Sequence, residues 1–339
     1  MKNITKVGLS ALAGSLVMVS ANAVEYSMSG GLQSVYSTQD SPTTAETTNG
    51  KGLTTATDLT FSASGELDNG FTVGYVMAVD TDGALENTSS QLTVGMGSLG
   101  TLQVNNKAGS KANAIDDITP HAYNETWDGL STVNPSTFGS RTSSGSLDYR
   151  IPAQELMGLT LNASVTLDPN ASEGSVTKGG VGTTSTSGTA YTLQLAHESG
   201  LEIGGGLESI EDDAGVTLGS GTEATTGYIK YSAGGLTAAY QETYTNSRNG
   251  TGIEGADVEE EMYGIAFTSG DVTVSYAEGE KSNKASSGTA SPVKKESESL
   301  QVAYTMGAMT IAAAMSESTG EVAATDKYEE NTLSFNFAF

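Results

Sequence analysis

The segment NTLSFNFAF, residues 331–339, alternates between two kinds of side chain. One set of alternate positions is apolar and consists of Leu333, Phe335, Phe337 and Phe339. Because successive side chains of a β-strand point to opposite faces, this pattern predicts a strand with one apolar face. A strongly acidic chain that finishes on such a strand needs either a protein core or a lipid bilayer against that face.

The same alternation recurs along the chain, in stretches that begin and end near glycine. Period-two patterns of this kind indicate β-strands, and no comparable helical stripe accompanies them. The clearest further examples are residues 59–67, 71–79, 159–167, 271–279, 300–306 and 309–315.

The links between the predicted strands are alternately short and long. Glycine supplies the positive φ that tight hairpins need, and the short links that contain it are 67–71, 97–101, 152–158, 198–202, 233–237, 269–273 and 306–310. The long polar links are 37–53, 81–88, 108–140, 169–187, 212–223, 246–258, 281–297 and 319–329. These links separate sixteen strands of about ten residues, the length that crosses a bilayer at a tilt. The sequence therefore predicts an all-β fold, a 16-stranded antiparallel transmembrane β-barrel with short periplasmic turns and long extracellular loops.

The first residues have the features of an export signal. Lys2 and Lys6 precede an apolar stretch over residues 7–20, and Ala21-Asn22-Ala23 has the small-residue form of a cleavage site. We expect a signal peptide over residues 1–23 and a single β-barrel domain over residues 24–339.

Charge and composition exclude several classes of protein. Without Lys2 and Lys6, 13 basic residues remain against 40 acidic ones, a net charge of −27 that argues against nucleic acid as a partner. The chain has no cysteine, which removes thiol catalysis and thiolate metal sites. A water-filled barrel lined and surrounded by acids attracts cations, so the sequence predicts a channel that prefers cations.

With these strands and links, and the aromatic strand that ends at Phe339, the chain resembles the general porins of the Gram-negative outer membrane. The resemblance implies a homotrimer in which small hydrophilic solutes and ions diffuse passively, with no enzymatic activity and no cofactor. It also implies that Phe335, Phe337 and Phe339 form the signal read by the barrel-assembly machinery. The last strand would then close the barrel against the first, predicted over residues 25–36.

In that family the third long loop folds into the barrel and narrows it, and link 108–140 holds this position. The resemblance implies a pore constriction formed by acids on the loop and bases on the wall: Asp116, Asp117, Glu125, Asp128, Lys107, Arg141 and Arg150. Alternation also points Lys230 inward. The dense arginine ladder and the Pro-Glu-Phe-Gly-Gly-Asp loop motif of the enterobacterial relatives are missing.

Charged clusters outside this loop allow two interpretations each. The acids at 211–213, 254–261 and 328–330 are either solvated or bind Ca²⁺, which prefers oxygen ligands. The lysines within 281–295 lie either on a flexible loop or against lipopolysaccharide phosphates.

Three alternatives to a general porin remain at this stage. An outer-membrane β-barrel hydrolase would use His121 with loop carboxylates, since His197 falls on the lipid-facing register. A substrate-specific channel would need several aromatic side chains in the lumen, whereas alternation points most of them toward lipid and Tyr228 inward. A secreted adhesin or β-solenoid would show a short fixed repeat, and none is visible.

Overall fold

The structure is a computed structural model that describes residues 24–40, 50–80, 86–126, 128, 138–139, 145–169, 186–212, 221–248, 257–284, 294–320 and 327–339. The expected signal peptide, residues 1–23, lies outside these described residues. Within them, no helix has the length and apolar character needed to cross a membrane.

Seventeen strand segments make up nearly all of the regular structure. In chain order they are β1 (Glu25–Asp40), β2 (Gly50–Glu66), β3 (Thr72–Asp80), β4 (Glu86–Gly95), β5 (Thr101–Asn106), β6 (Ser146–Arg150), β7 (Gln154–Leu156), β8 (Leu159–Asp168), β9 (Thr186–His197), β10 (Leu201–Asp212), β11 (Gly221–Ala233), β12 (Leu236–Arg248), β13 (Asp257–Ser269), β14 (Val272–Lys284), β15 (Lys294–Met306), β16 (Met309–Thr319) and β17 (Lys327–Ala338). Two short 3₁₀ turns lie at Gly97–Leu99 and Asn113–Ile115.

The sheet closes on itself, because β17 pairs antiparallel with both β16 and β1. Leu32 of β1 lies opposite Phe337, and the backbones of Gly30 and Phe339 exchange two hydrogen bonds of 2.7 and 2.9 Å. The structure confirms the predicted antiparallel barrel and its closure by the last strand on the first. Closure leaves no unpaired sheet edge, which removes the usual site of strand-to-strand aggregation.

β6 and β7 are two parts of one barrel strand, since both pair with β8. The seventeen segments therefore form sixteen strands. Pro152 lies between the two parts, and proline has no N–H to donate to a neighbouring strand. Arg150 faces Ser164 while Gln154 faces Leu161, so the register shifts by one residue across the break.

The prediction of a short link over 152–158 was wrong in its bounds. Residues 154–156 continue the strand, and the turn itself lies at Met157 and Gly158, both with positive φ. Several long links were also predicted too long. β1 continues to Asp40 and β2 begins at Gly50, where the sequence predicted a link over 37–53. Backbone pairing continues through polar residues beyond the end of the apolar pattern.

The two faces of the barrel have the predicted composition. On β17, Phe335 and Phe337 are exposed on the outside while Ser334 is fully buried inside. Gly30 on β1 makes room for the last aromatic ring, because a Cβ at this position would lie 2.5 Å from the ring of Phe339. The apolar face of the segment that opened the sequence therefore covers the outside of a closed barrel, where lipid is the medium it matches.

Candidate functional site

The segment after β5 enters the barrel and is held to its inner wall by hydrogen bonds from its backbone. The amide of Ile118 donates to Oε1 of Gln241 on β12 over 2.9 Å. The amide of Ala122 donates to Oγ of Ser275 on β14 over 2.8 Å. These contacts fix residues 112–126 inside the lumen rather than above it.

Two glutamine side chains carry most of this attachment. Nε2 of Gln241 donates to the carbonyls of Ile115 and Asp116 over 2.7 and 3.2 Å, while its Oε1 accepts from the amide of Ile118. Oε1 of Gln301 on β15 accepts from the amide of Tyr123 over 2.8 Å, and its Nε2 donates to the carbonyl of Asn124 over 2.6 Å. A primary amide both donates and accepts, so each glutamine satisfies backbone groups of the segment that burial removes from water.

Small wall residues make space for the segment. A Cβ at Gly206 of β10 would lie 2.4 Å from the ring of Phe138, and one at Gly264 of β13 would lie 3.2 Å from Cδ of Pro120. Alanines pack against the segment in two apolar clusters, which are Ala112, Phe138, Ala190 and Ala224, and Tyr123, Ala303, Ala312 and Ala314. The segment therefore contacts the inner wall from β9 round to β16.

The same loop also contacts the inner wall at β10 and at β1. The amide of Gly139 donates to Oε2 of the buried Glu208 over 2.8 Å. Nε2 of Gln33 donates to the hydroxyl of Tyr123 over 3.1 Å. Residues 129–137, which complete the predicted loop, lie outside the described residues.

The predicted loop acids Asp116 and Asp117 are adjacent residues near the beginning of the inward segment. Asp116 accepts the amide of Asp117 at Oδ1 over 2.8 Å, and its Oδ2 lies 3.4 Å from Nδ2 of Asn113. Oδ1 of Asp117 accepts the amide and the hydroxyl of Thr119 over 2.7 and 2.6 Å. Its Oδ2 is inaccessible to water and has no hydrogen-bond partner among the described residues.

The pKa of the Asp117 carboxyl is raised to about 7, mainly by burial and also by the charges of Asp116 and Asp128. The two hydrogen bonds from Thr119 act in the opposite direction. A carboxyl that loses water without gaining a cation favours its neutral form. Asp117 is therefore the loop acid whose charge changes near neutral pH.

Three further predicted constriction residues, Glu125, Asp128 and Lys107, lie within the described part of the chain. Glu125 and Asp128 are half-buried on the segment, where the amide of Asp128 donates to the carbonyl of Glu125 over 3.1 Å. Lys107 follows β5 with a φ of 57° and bridges to Ser90. Arg141 lies outside the described residues.

Arg150 of β6 faces the lumen in front of a buried acid. Its Nε and Nη2 both donate to Oδ2 of Asp148 over 2.8 Å, and Nη2 also donates to Gln103. Oδ1 of Asp148 accepts from the hydroxyl of Thr166 over 2.8 Å. The side chain of Arg150 is 28% exposed and that of Asp148 is 0% exposed, so the guanidinium is the group that a solute meets.

Lys230 of β11 forms a second pair of this kind. Its Nζ lies 3.0 Å from Oε1 of Glu202 on β10, and the hydroxyl of Tyr228 donates to the same oxygen over 3.0 Å. The sequence placed Lys230 and Tyr228 on the inner face, but it did not identify Glu202. Period-two alternation along β10, from Glu202 through Gly204 and Gly206 to Glu208, carries the signal that would have found it.

A recess of about 540 Å³ separates these two pairs from the inward segment. Arg150, Glu202, Tyr228 and Lys230 line the wall side, while Lys111, Ala114, Ile115 and Ile118 line the segment side. The predicted loop acids do not line this recess. The structure therefore brings Arg150 to a lumen surface facing the segment, but it does not oppose it with Asp116 or Asp117.

The two histidines and one acidic cluster complete the candidate groups. His121 lies half-buried on the inward segment, while His197 ends β9 with its Nδ1 2.8 Å from the hydroxyl oxygen of Ser199. Carboxylate oxygens of Glu242, Glu259 and Glu261 lie within 4.8 Å of one another. Glu259 and Glu261 belong to the predicted cluster 254–261, and Tyr263 on the same side of β13 is exposed, so this group lies on the outside of the barrel.

Comparison with known proteins places this geometry in a family. The Gram-negative porin family matches residues 8–339. A comparison with curated protein sequences finds no match.

Three solved structures illustrate the likeness in fold. The anion-selective porin from Comamonas acidovorans is 14% identical, with 93% of this chain and 100% of that chain covered at a TM-score of 0.64. Salmonella typhi OmpF in complex with daunomycin is 13% identical, with 94% and 98% covered at 0.65. In-vitro folded OmpT of Vibrio cholerae, described as a trimer form, is 10% identical, with 93% and 99% covered at 0.64.

The closed sixteen-stranded barrel and the family match agree over nearly the whole length of the chain. Together they indicate an outer-membrane porin channel. The chain belongs to the Gram-negative porin family, a β-barrel of the outer membrane.

Proposed function

We propose that this porin passes small hydrophilic solutes and ions by passive diffusion, with residues 108–140 setting the constriction of its channel. The observation that carries the proposal is the attachment of residues 112–126 to the inner wall by Gln241, Ser275 and Gln301. A barrel of this size is too wide for its own side chains to fill, so a segment held across the lumen limits the opening.

The proposed constriction residues are those that the loop and the wall contribute on either side of the opening: Asp116, Asp117, Glu125, Asp128, Lys107, Arg141 and Arg150. To these we add Lys230 with its partner Glu202. Residues Asp116, Asp117, Glu125 and Asp128 are the acids that a passing cation would meet along the segment. The excess of acidic residues over the whole chain favours cations in the same direction.

We propose no catalytic role for these groups. A hydrolase that used His121 would need a carboxylate to orient the imidazole. Oδ1 of Asp117 already accepts both the amide and the hydroxyl of Thr119, and its buried Oδ2 has no hydrogen-bond partner among the described residues, so neither oxygen is hydrogen-bonded to His121. The hydrogen bonds of Asp117 are therefore made to Thr119 of the same loop, where they stabilise the loop conformation.

The partners are proposed on the strength of the family. OmpT of Vibrio cholerae, with the same fold, is described as a trimer form, and we propose a homotrimer for this porin. We also propose that residues 1–23 are cleaved as a signal peptide and that Phe335, Phe337 and Phe339 are read by the assembly machinery. Lipopolysaccharide would surround the extracellular rim, but Lys281 of the stretch 281–295 does not face it, because its Nζ lies 2.9 Å from Oε1 of the buried Glu260.

The test is single-channel recording of the refolded protein, residues 24–339, in a planar bilayer under a salt gradient. We expect conductance in steps of three with a reversal potential that indicates cation preference. A folded barrel with no conductance would overturn the channel, whereas an anion-selective reversal potential would overturn only the cation preference.

A further inference from the structure

The recess between the wall and the inward segment has a charge opposite to that of the chain as a whole. Among the described residues that line it, three are cationic, Lys111, Arg150 and Lys230, and one is acidic, Glu202. Local potential in a lumen depends on the nearest groups, because salt screens more distant charges over about 8 Å at physiological ionic strength. Asp148 lies 2.8 Å from the guanidinium of Arg150, so three cations face two acids at this recess, and in both ion pairs the cation is the more exposed member.

The two wall cations are arranged to meet a solute rather than only to neutralise their partners. Arg150 is 28% exposed against 0% for Asp148, and Lys230 is 29% exposed against 17% for Glu202. In both pairs the base lies nearer to the lumen than the acid. An ion pair with a less exposed acid fixes the position of the cation. The cation therefore loses little conformational freedom when it binds an anion.

Both cations retain donors for a ligand. The hydrogen bonds of Arg150 within the described part of the chain use Nε and Nη2, so Nη1 is the group that can bind a solute oxygen. The ammonium of Lys230 has three donors, and its contact with Glu202 uses one. Hydrogen bonds from charged donors to a carboxylate are among the stronger ones in proteins.

Apart from Lys111, the opposite side of the recess is apolar. Ala114, Ile115 and Ile118 of the inward segment line it, and Ile118 is held in place through the bond from its amide to Gln241. The amides of Asn162 and Gln194 line the wall between the cations. A ligand that fits this surface has a carboxylate at one end and a short body with hydroxyl or methylene groups.

We infer that this recess is a binding site for small organic carboxylates, which dock their anionic group on Arg150 and Lys230 during passage. The inference rests on the proposed channel function and adds a solute class to it. A volume of about 540 Å³ accommodates a six-carbon sugar acid and is typical of a small-molecule site.

The test measures current through single channels in potassium chloride as potassium gluconate or sorbitol is added. The two solutes have the same carbon skeleton, but only gluconate has a carboxylate. We expect gluconate to reduce the current with saturation and to add current noise, while sorbitol lowers it only in proportion to the viscosity. Equal effects of the two solutes would overturn the proposed site.

Substitutions locate the binding. Arg150→Gln and Lys230→Gln should each raise the half-saturating gluconate concentration about tenfold, because each removes a charged hydrogen-bond donor. The control is Lys327→Gln, which changes the net charge equally at an exposed position on β17. An equal change in Lys327→Gln, or none in the two wall variants, would also overturn the site.

The outcome also separates this inference from the channel itself. Open-channel conductance without gluconate tests the channel, and it is measured in the unsubstituted protein and in the control Lys327→Gln. Loss of conductance in the unsubstituted protein would contradict the proposed function. Normal conductance without saturation by gluconate would contradict the binding site alone.

Discussion

Two parts of the inner wall differ in how they use positions that face the lumen. The covered wall, formed by Gln241, Ser275 and Gln301 on β12, β14 and β15, presents neutral polar groups to the inward segment. The open wall, formed by Arg150 on β6 and the Glu202–Lys230 pair of β10 and β11, presents ion pairs to the recess.

The difference follows from what each wall faces. The covered wall must satisfy backbone N–H and C=O groups that have lost water, and a neutral amide does so without the cost of burying a charge. The open wall faces solvent, so its charges remain hydrated and can act on passing ions. Covered positions therefore hold the segment, and open positions are those where we propose that solutes are selected.

The largest expected effect comes from breaking the covered wall. In the double variant Gln241→Ala and Gln301→Ala, buried carbonyls and amides of the segment lose their partners, at a cost of about 1–3 kcal/mol for each unsatisfied group. We expect the segment to leave its position and single-channel conductance to rise about twofold as the opening widens.

A matched control for this variant is Gln91→Ala. Gln91 faces the lumen from β4, where its Nε2 donates to Asn105 over 2.8 Å, and within the described part of the chain it makes no hydrogen bond to the inward segment. Its conductance should stay near that of the unsubstituted protein. If the double variant also keeps that conductance, the covered wall does not hold the constriction.

The second-largest expected effect is a response to pH at Asp117, which directly precedes Ile118, the residue whose amide Gln241 binds. Because the pKa of Asp117 is raised to about 7, its neutral form is the one the folded segment favours. The free energy that this neutral carboxyl contributes to folding is fully present below the ordinary aspartate pKa near 4. It is lost as the pH rises through about 7, because the carboxyl then ionises. We expect the fluorescence of Trp127, the single tryptophan of the chain, to titrate near pH 7.

Asp117→Asn should remove this titration, while Asp128→Asn should shift it to lower pH by removing one negative neighbour. Asp271→Asn serves as the control, because Asp271 is exposed in the turn between β13 and β14. An unchanged titration in Asp117→Asn would assign the pH response to another group.

The smallest effect should come from the charge of the open wall. Arg150→Glu replaces a lumen cation by an anion beside Asp148, and the cation-to-anion permeability ratio should rise about twofold in dilute salt. The reversal potential measures this ratio. Raising the salt concentration should reduce the difference, because exposed charges are screened. A difference that persists unchanged at high salt would point to altered pore shape instead.

Much of the fold could be predicted from local pattern. Alternation from Leu333 to Phe339 identified an outward apolar face, and the turns with glycine gave the number of strands. The break at Pro152 could not be placed correctly, because the residues after it were interpreted as a turn although they pair with β8. Pairing depends on the partner strand as well as on the segment itself.

The site was less predictable than the barrel. Alternation places Arg150, Lys230 and Tyr228 on the inner face because side-chain direction is a local property of a strand. It does not show that Gln241 and Gln301 hold the segment, since both contacts join residues more than 120 positions apart. It also does not show that the acids Asp116 and Asp117 lie away from the recess.

The sequence by itself determined the strand pattern, the two faces and the outer-membrane class of this protein, because each depends on neighbouring residues and on the lipid around them. Only the tertiary structure decided which lumen positions are covered and which are open. That outcome depends on the path of residues 112–126 across the barrel, which is fixed by contacts with strands from distant parts of the chain.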